Sequence, residues 1–217
     1  MGLWYSLEQL PYIVITLMVA FTLHELAHAY VANKFGDDTA ARQGRLTLNP
    51  LKHLDPFGTI LILIAGFGWA KPVPVNPFYF KNPRLAGVLV SLAGPLSNLL
   101  LVILSYAFIY GMIAAGLGPS IPAVVFDFFD IFISMNAVLF IFNLLPLPPL
   151  DGYRIIEDLV PSNVRAKMTQ YEQYGALIFL ILVITPLDAY TISPIFEKLM
   201  PQLLDSIQMF FAQLFLS

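Results

Sequence analysis

His24, Glu25 and His28 stand in the order His-Glu-Leu-Ala-His, and their spacing is what metal chemistry requires. On an α-helix, residues four apart project from one face about one turn along, so both imidazoles can reach a single ion. Glu25 sits one step round the helix. This is the HExxH pattern, in which two histidines hold zinc and the carboxylate takes a proton from the metal-bound water. The three residues lie inside an apolar run, 12–33, long enough to span a bilayer. An ionisable group at mid-bilayer costs about 2.5–3.5 kcal/mol on insertion scales, so three of them in one helix call for a compensating partner such as zinc. Two plainer readings compete. HExxH occurs by chance on soluble helices, where its side chains face water. A structural zinc site uses four protein ligands rich in Cys, and the chain has no Cys. A catalytic zinc keeps one position open and needs a third protein ligand from elsewhere.

Composition sets the class. Over 217 residues, 58% are hydrophobic and 12% charged, against roughly 45–50% and 25% in an ordinary soluble domain. This describes an integral membrane protein. The opening eight residues have no basic segment, and the apolar run behind them is too long for a signal sequence, so no cleaved leader is expected. Absence of Cys rules out a disulfide framework but leaves the redox compartment open. A net charge of −3 without any basic run excludes nucleic acid as a natural partner.

The elements that must position these residues follow along the chain. After the first span, 34–56 is polar and turn-rich, and the alternation at Arg45, Leu46, Thr47 and Leu48 predicts a short strand. Residues 57–69 are apolar, but 13 residues of helix cover about 20 Å against a hydrocarbon core of roughly 30 Å, so a re-entrant segment is expected. The prolines of 69–77 predict an extended piece that offers a backbone edge. The stretch 85–115 is the longest apolar one, with Pro95 expected to kink a helix or start it, and small residues around it favour close helix packing. A further span is predicted at 123–145. It ends in Asn143, Leu144, Leu145 and a Pro-rich turn leading to Asp151 and Gly152, where Gly152 is expected to allow a tight turn. Residues 153–174 are the most polar part, 175–187 predicts another span, and 202–216 a final apolar helix. No repeat, low-complexity tract or appended soluble domain is visible. Positive charge collects at 34–52, 71–84 and 154–167 and is missing from 116–122. The positive-inside rule then puts the three basic loops in the cytoplasm, with the C-terminal end of the His24 helix and the chain before Asp151 at one depth.

For the third ligand, Val31 excludes HExxHxxGxxH, and no Glu occurs between Glu25 and Glu157. The candidates are Asp37, Asp38, His53, Asp55 and Asp151. Asp37 and Asp38 follow Gly36 in a hydrophilic turn and read as a solvated pair, and Asp55 before Pro56 suits a turn equally. Asp151 differs in sitting at a helix end, at the predicted depth of His24, in a rigid Pro-Gly frame.

Between about Phe21 and Tyr153 the chain resembles the site-2 protease family of intramembrane zinc metalloproteases, in its short prokaryotic-type branch. The resemblance rests on His24-Glu25-Leu26-Ala27-His28-Ala29, on Leu48-Asn49-Pro50 with His53-Leu54-Asp55-Pro56-Phe57-Gly58-Thr59, on the Pro-rich run 70–77, on Gly94-Pro95 with Asn98, and on Asn143-Leu144-Leu145-Pro146 with Leu150-Asp151-Gly152. It implies one zinc ion on His24, His28 and Asp151, Glu25 as the water-activating base, and Asn143 holding substrate or oxyanion. No PDZ or CBS domain of the kind some members carry is present. Asn98 more ordinarily satisfies a neighbouring helix, and His53 serves either near the site or at the membrane interface.

The expected fold is an all-α polytopic membrane protein of about five to six transmembrane helices, with a re-entrant segment and short membrane-associated strands. It forms a single metalloprotease domain over 1–217, with a core at 12–153 and accessory helices at 154–217. The expected activity is that of a zinc metalloendopeptidase cutting in or near the transmembrane segment of a membrane-protein substrate, at the cell membrane of a prokaryote, with the site towards the cytoplasm. A helical substrate must be unwound first, and an edge at 70–77 or 45–48 could capture it. The alternative is a non-proteolytic zinc-binding or transport membrane protein. Transport predicts polar groups spread along facing spans, whereas here they cluster at one depth.

Overall fold

A computed structural model describes residues 6–65 and 68–216. The opening residues 1–5 and positions 66 and 67 of the expected re-entrant stretch lie outside the described residues. The chain divides into two compact units, 1–97 and 98–217.

In the first unit, α1 runs over Leu10–Lys34 with Pro11 in its first turn, where a missing N–H costs nothing. Its 25 residues cover about 38 Å, enough for a bilayer core. Gly36 ends it with φ of 105°, a left-handed turn in which the Gly36 N–H reaches the Asn33 carbonyl and the Asp37 N–H reaches the Ala32 carbonyl. That cap folds Asp37 back against the unit. Then come α2, Thr39–Arg42, and α3, Pro56–Ala65, whose start is held by Asp55 Oδ1 accepting the Gly58 N–H at 2.8 Å. Ten residues of α3 cover about 15 Å, too little to cross.

The alternation at 45–48 makes a bend rather than the predicted strand. Its backbone is drawn into local bonds: Thr47 Oγ1 accepts the Asn49 N–H, and the Thr47 carbonyl accepts from the His53 ring. Side-chain bonding of this kind competes with a ladder. Among the described residues, strand-type pairing is limited to an isolated antiparallel bridge between Leu54 and Ala70. Residues 71–76 are extended, as the prolines require. The longest helix, α4, covers Pro83–Ala114 and carries Pro95 inside it, so the helix neither starts nor stops there. Its first half packs on α1 through small residues: Ala32, Ala86 and Val90 form a core with Phe80.

In the second unit, α5 covers Ala123–Asn143, followed by α6, Asp151–Leu159, α7, Ser162–Glu172, α8, Gly175–Ile184, α9, Asp188–Thr191, and α10, Ser193–Leu216. Val102 of α4 packs with Ile133 and Ala137 of α5, against Leu203, Leu204 and Ile207 of α10. Asn98 donates to Asn136 Oδ1 at 3.0 Å, while Asn136 donates to the Phe132 carbonyl. This is the interhelical pairing by which Asn joins apolar helices. The polar 153–174 stretch is two helices tied by ion pairs of Arg154 with Glu157 and Glu172, and of Arg165 with Asp158.

Gly152 is not a turn residue. It lies buried in the first turn of α6, where an added Cβ would stand 2.5 Å from the Leu145 carbonyl oxygen and closer still to the Leu144 carbonyl. Among the described residues, three helices, α1, α4 and α5, are long and apolar enough to cross a membrane. On α4, Leu96, Leu100, Leu104 and Phe108 recur every fourth residue and are all exposed, a stripe suited to lipid. The molecule is an all-α membrane protein.

Candidate metal centre and the chain that crosses it

On α1 the i, i+4 spacing does what it predicts. His24 and His28 are buried, at 6% and 8% exposure, and their Nε2 atoms lie 3.0 Å apart, with the rings edge to face. His28 Nδ1 is 2.7 Å from the Val90 carbonyl oxygen of α4. An imidazole that donates from Nδ1 carries its lone pair on Nε2, the arrangement of a metal-ligating histidine oriented by its other nitrogen. Two ring nitrogens this close, on a buried face, need a cation or a shared proton between them.

Gly94 keeps the space in front of them open. A Cβ at that position would stand 2.6 Å from His24 Nε2 and nearer still to the Nε2 and Cε1 atoms of His28. The donor set, the orienting carbonyl and the cleared face together fit zinc. The expected value of small residues near Pro95 for helix packing is therefore sharpened into clearance over two imidazoles.

Glu25, 7% exposed, is one residue along, and its Oε2 accepts the Val73 N–H at 2.9 Å. This brings the extended 71–76 chain across α1. The same chain is held on either side. The Lys71 N–H donates to the His53 carbonyl at 2.8 Å, the Lys71 carbonyl accepts from Arg45 Nη2 at 2.5 Å, and the Asn76 N–H donates to Asp37 Oδ2 at 2.6 Å.

Asp37 corrects the sequence reading. It is wholly buried, not solvated, because the glycine cap of α1 turns it inward to hold Asn76. Asp38 alone has the surface role, paired with Arg42. Asp55, expected in a turn, caps α3.

His53 is wholly buried, and its Nε2 donates to the Thr47 carbonyl at 2.8 Å. Burial pushes its pKa down. The Thr47 carbonyl works against that, Arg45 adds to it, and Glu25 again opposes it. Burial also lowers the Arg45 pKa, with Glu25 acting the other way.

Asn143 and Asp151 belong to the second unit. Asn143 is the last residue of α5, and one amide hydrogen donates to the Leu139 carbonyl at 2.9 Å. Asp151 opens α6 directly behind the Pro-rich turn. A carboxylate at a helix start is stabilised there by the helix dipole.

Arg45 and the Val90 carbonyl escape sequence reasoning, because the partner of each is a backbone group or ring far along the chain. Gly94 leaves a trace only as one small residue among several.

The sequence model of Peptidase family M50 matches residues 108–186, a range that includes Asn143 and Asp151. A Bacillus subtilis (strain 168) protein named "Putative zinc metalloprotease YwhC" is 64% identical over 194 residues, covering 88% of this chain and 89% of that protein. The Mycolicibacterium smegmatis and Mycobacterium tuberculosis proteins called Rip2, which bear the same zinc-metalloprotease description, are each 32% identical. Each of those matches covers 78% of this chain and 65% of the relative's length. No solved structure matches the chain. With a relative this similar over nearly its whole length, the chain belongs to peptidase family M50, the site-2 protease family, and is a membrane zinc metalloprotease.

Proposed function

We propose that the protein hydrolyses a peptide bond in or near the transmembrane segment of another membrane protein, using one zinc ion held by His24, His28 and Asp151, with Glu25 as the base. The observation that carries this reading is the pair of Nε2 atoms 3.0 Å apart on a helix long enough to cross a bilayer, one ring oriented by the Val90 carbonyl and both faced by Gly94. Two histidines leave a catalytic zinc one protein ligand short. Asp151 suits the third place by its donor chemistry and its fixed position at the start of α6. His53, with Nε2 donating to Thr47, keeps Nδ1 as its ligating atom, so its variant is the control for this choice.

Bound zinc supplies a Lewis acid for the scissile carbonyl and lowers the pKa of water. Glu25 moves the proton. With Oε2 held by Val73, its other oxygen receives the proton of the attacking water and delivers it to the leaving nitrogen. Asn143 keeps a second amide hydrogen beyond the one given to Leu139, and this is the donor for the carbonyl oxygen as charge develops on it. A helical substrate hides its carbonyls in its own hydrogen bonds, so it enters locally unwound. The finer fold belongs to the same proposal: the short α3 is re-entrant, the 70–77 chain is membrane-associated, the C-terminal helices bring the spans to five or six, and the site opens to the cytoplasm of a prokaryotic cell.

Metal analysis and cleavage of a transmembrane peptide, on detergent-purified variants, test the assignment. Glu25→Gln is expected to keep zinc and lose about 10²–10⁴-fold in turnover, the usual weight of a general base. Asp151→Ala is expected to empty the site, and His53→Ala to leave it filled. Full zinc in Asp151→Ala with none in His53→Ala would make His53 the third ligand.

A further inference from the structure

The extended chain at 71–76 has four N–H groups, because Pro72 and Pro74 have none, and three of them donate inward. Val73 gives its hydrogen to Glu25, the residue read as the base, and Lys71 lies two positions before it. In extended backbone, alternate residues point the same way, so whatever fixes Lys71 also fixes the direction of the Val73 N–H. Lys71 is fixed at both its backbone polar atoms, by the His53 carbonyl and by Arg45 Nη2.

The use of an arginine here is informative. Arg45 is only 4% exposed, and a buried guanidinium is costly unless charge is set against it. Its hydrogen bond is to a neutral carbonyl, while the carboxylate that acts on it electrostatically is Glu25. Simple anchoring of a loop needs no buried cation. A cation beside the strand that bonds Glu25 acts on that carboxylate as well as on the loop.

We propose that Arg45 is a positioning residue for the hydrolytic step: by holding the Lys71 carbonyl it keeps 71–73 extended across α1, so that the Val73 N–H orients Glu25 through Oε2. The inference rests on the reading of Glu25 as base. Misplacing a reacting group by about 1 Å can cost on the order of 10²-fold in rate, which sets the size of effect to expect from releasing the strand.

The test uses the full chain in detergent, with an internally quenched transmembrane peptide that the unaltered protein cleaves. Arg45→Gln is expected to keep its zinc and its KM while kcat falls about 10- to 100-fold, and the Val73 amide should exchange its hydrogen faster. Arg45→Lys, which restores a cationic donor, should recover part of both. Val73→Pro deletes the N–H without touching Arg45 and should reproduce the loss in kcat, and it decides the matter with Arg45→Lys if Arg45→Gln does not fold. Unchanged kcat in zinc-loaded Val73→Pro, or a Val73 amide equally protected in a folded Arg45 variant, overturns the proposal. Glu25→Gln run alongside separates the two levels, because turnover surviving there overturns the base assignment itself.

Discussion

Gly94 shows how one missing methyl shapes the centre. Its neighbours are the Nε2 atoms of His24 and His28, and His28 is held in place by the Val90 carbonyl. Gly94→Ala leaves the imidazoles able to swing aside in the metal-free protein, at the cost of the Val90 bond. It prevents them from converging on an ion. Metal-free Gly94→Ala should therefore lose only about the 0.5–1.5 kcal/mol of that bond in a melt, while its zinc affinity, read by competition with a chelator, falls about 10- to 100-fold, as when an orienting partner of a ligand is lost. Unchanged affinity would mean that the cleared space is not where the metal sits. At this scale the placing of His24, Glu25 and His28 on one buried stretch of helix was legible in the sequence because helical spacing is local. Asp37, Asp38 and Asp55 looked alike as turn acids, yet the cap at Gly36 buries the first, leaves the second on the surface and has no bearing on the third.

Elements were legible wherever an apolar run was long: α1, α4 and α5 lie within a few residues of the spans expected at 12–33, 85–115 and 123–145. Short patterns failed, because a four-residue alternation is outweighed by two local hydrogen bonds, as at Thr47. Gly152 was recognised as special for the wrong reason. Its role is close approach: the first turn of α6 rests on the backbone carbonyls that end α5, with no room for a side chain. Backbone cannot rotate away as an imidazole can, so Gly152→Ala should destabilise even the metal-free protein, by about 1–3 kcal/mol on the scale of overpacked sites. It should also weaken zinc through its neighbour Asp151. Thermal unfolding without metal checks the first effect and chelator competition the second. A melting temperature unmoved by the substitution would show that α6 does not need this approach.

For the whole molecule, chain direction and charge can be set against each other. Helices α1, α4 and α5 each span about 30 Å or more at 1.5 Å per residue, whereas α3 at ten residues reaches only about half a bilayer. If α3 does not cross, residues 35–82 leave and return on one side, 115–122 lies on the other, and the chain after α5 comes back to the first. The charges agree with that count. Of eleven Lys and Arg, seven lie at Lys34, Arg42, Arg45, Lys52, Lys71, Lys81 and Arg84, three at Arg154, Arg165 and Lys167, one at Lys198 in α10, and none in 115–122. On the proposed topology the positive-inside rule puts the first side in the cytoplasm, so helix length and charge predict the same arrangement. Since the chain has no Cys, single Cys residues introduced at 46, 81, 119 and 163 can each be labelled against a silent background. An impermeant reagent added outside intact cells should label position 119 alone, and the other three should react only after permeabilisation. Labelling of 46 and 81 from opposite sides would mean that α3 crosses with its neighbours after all, and labelling of 46 from outside would put the Glu25 end of α1 at the outer face.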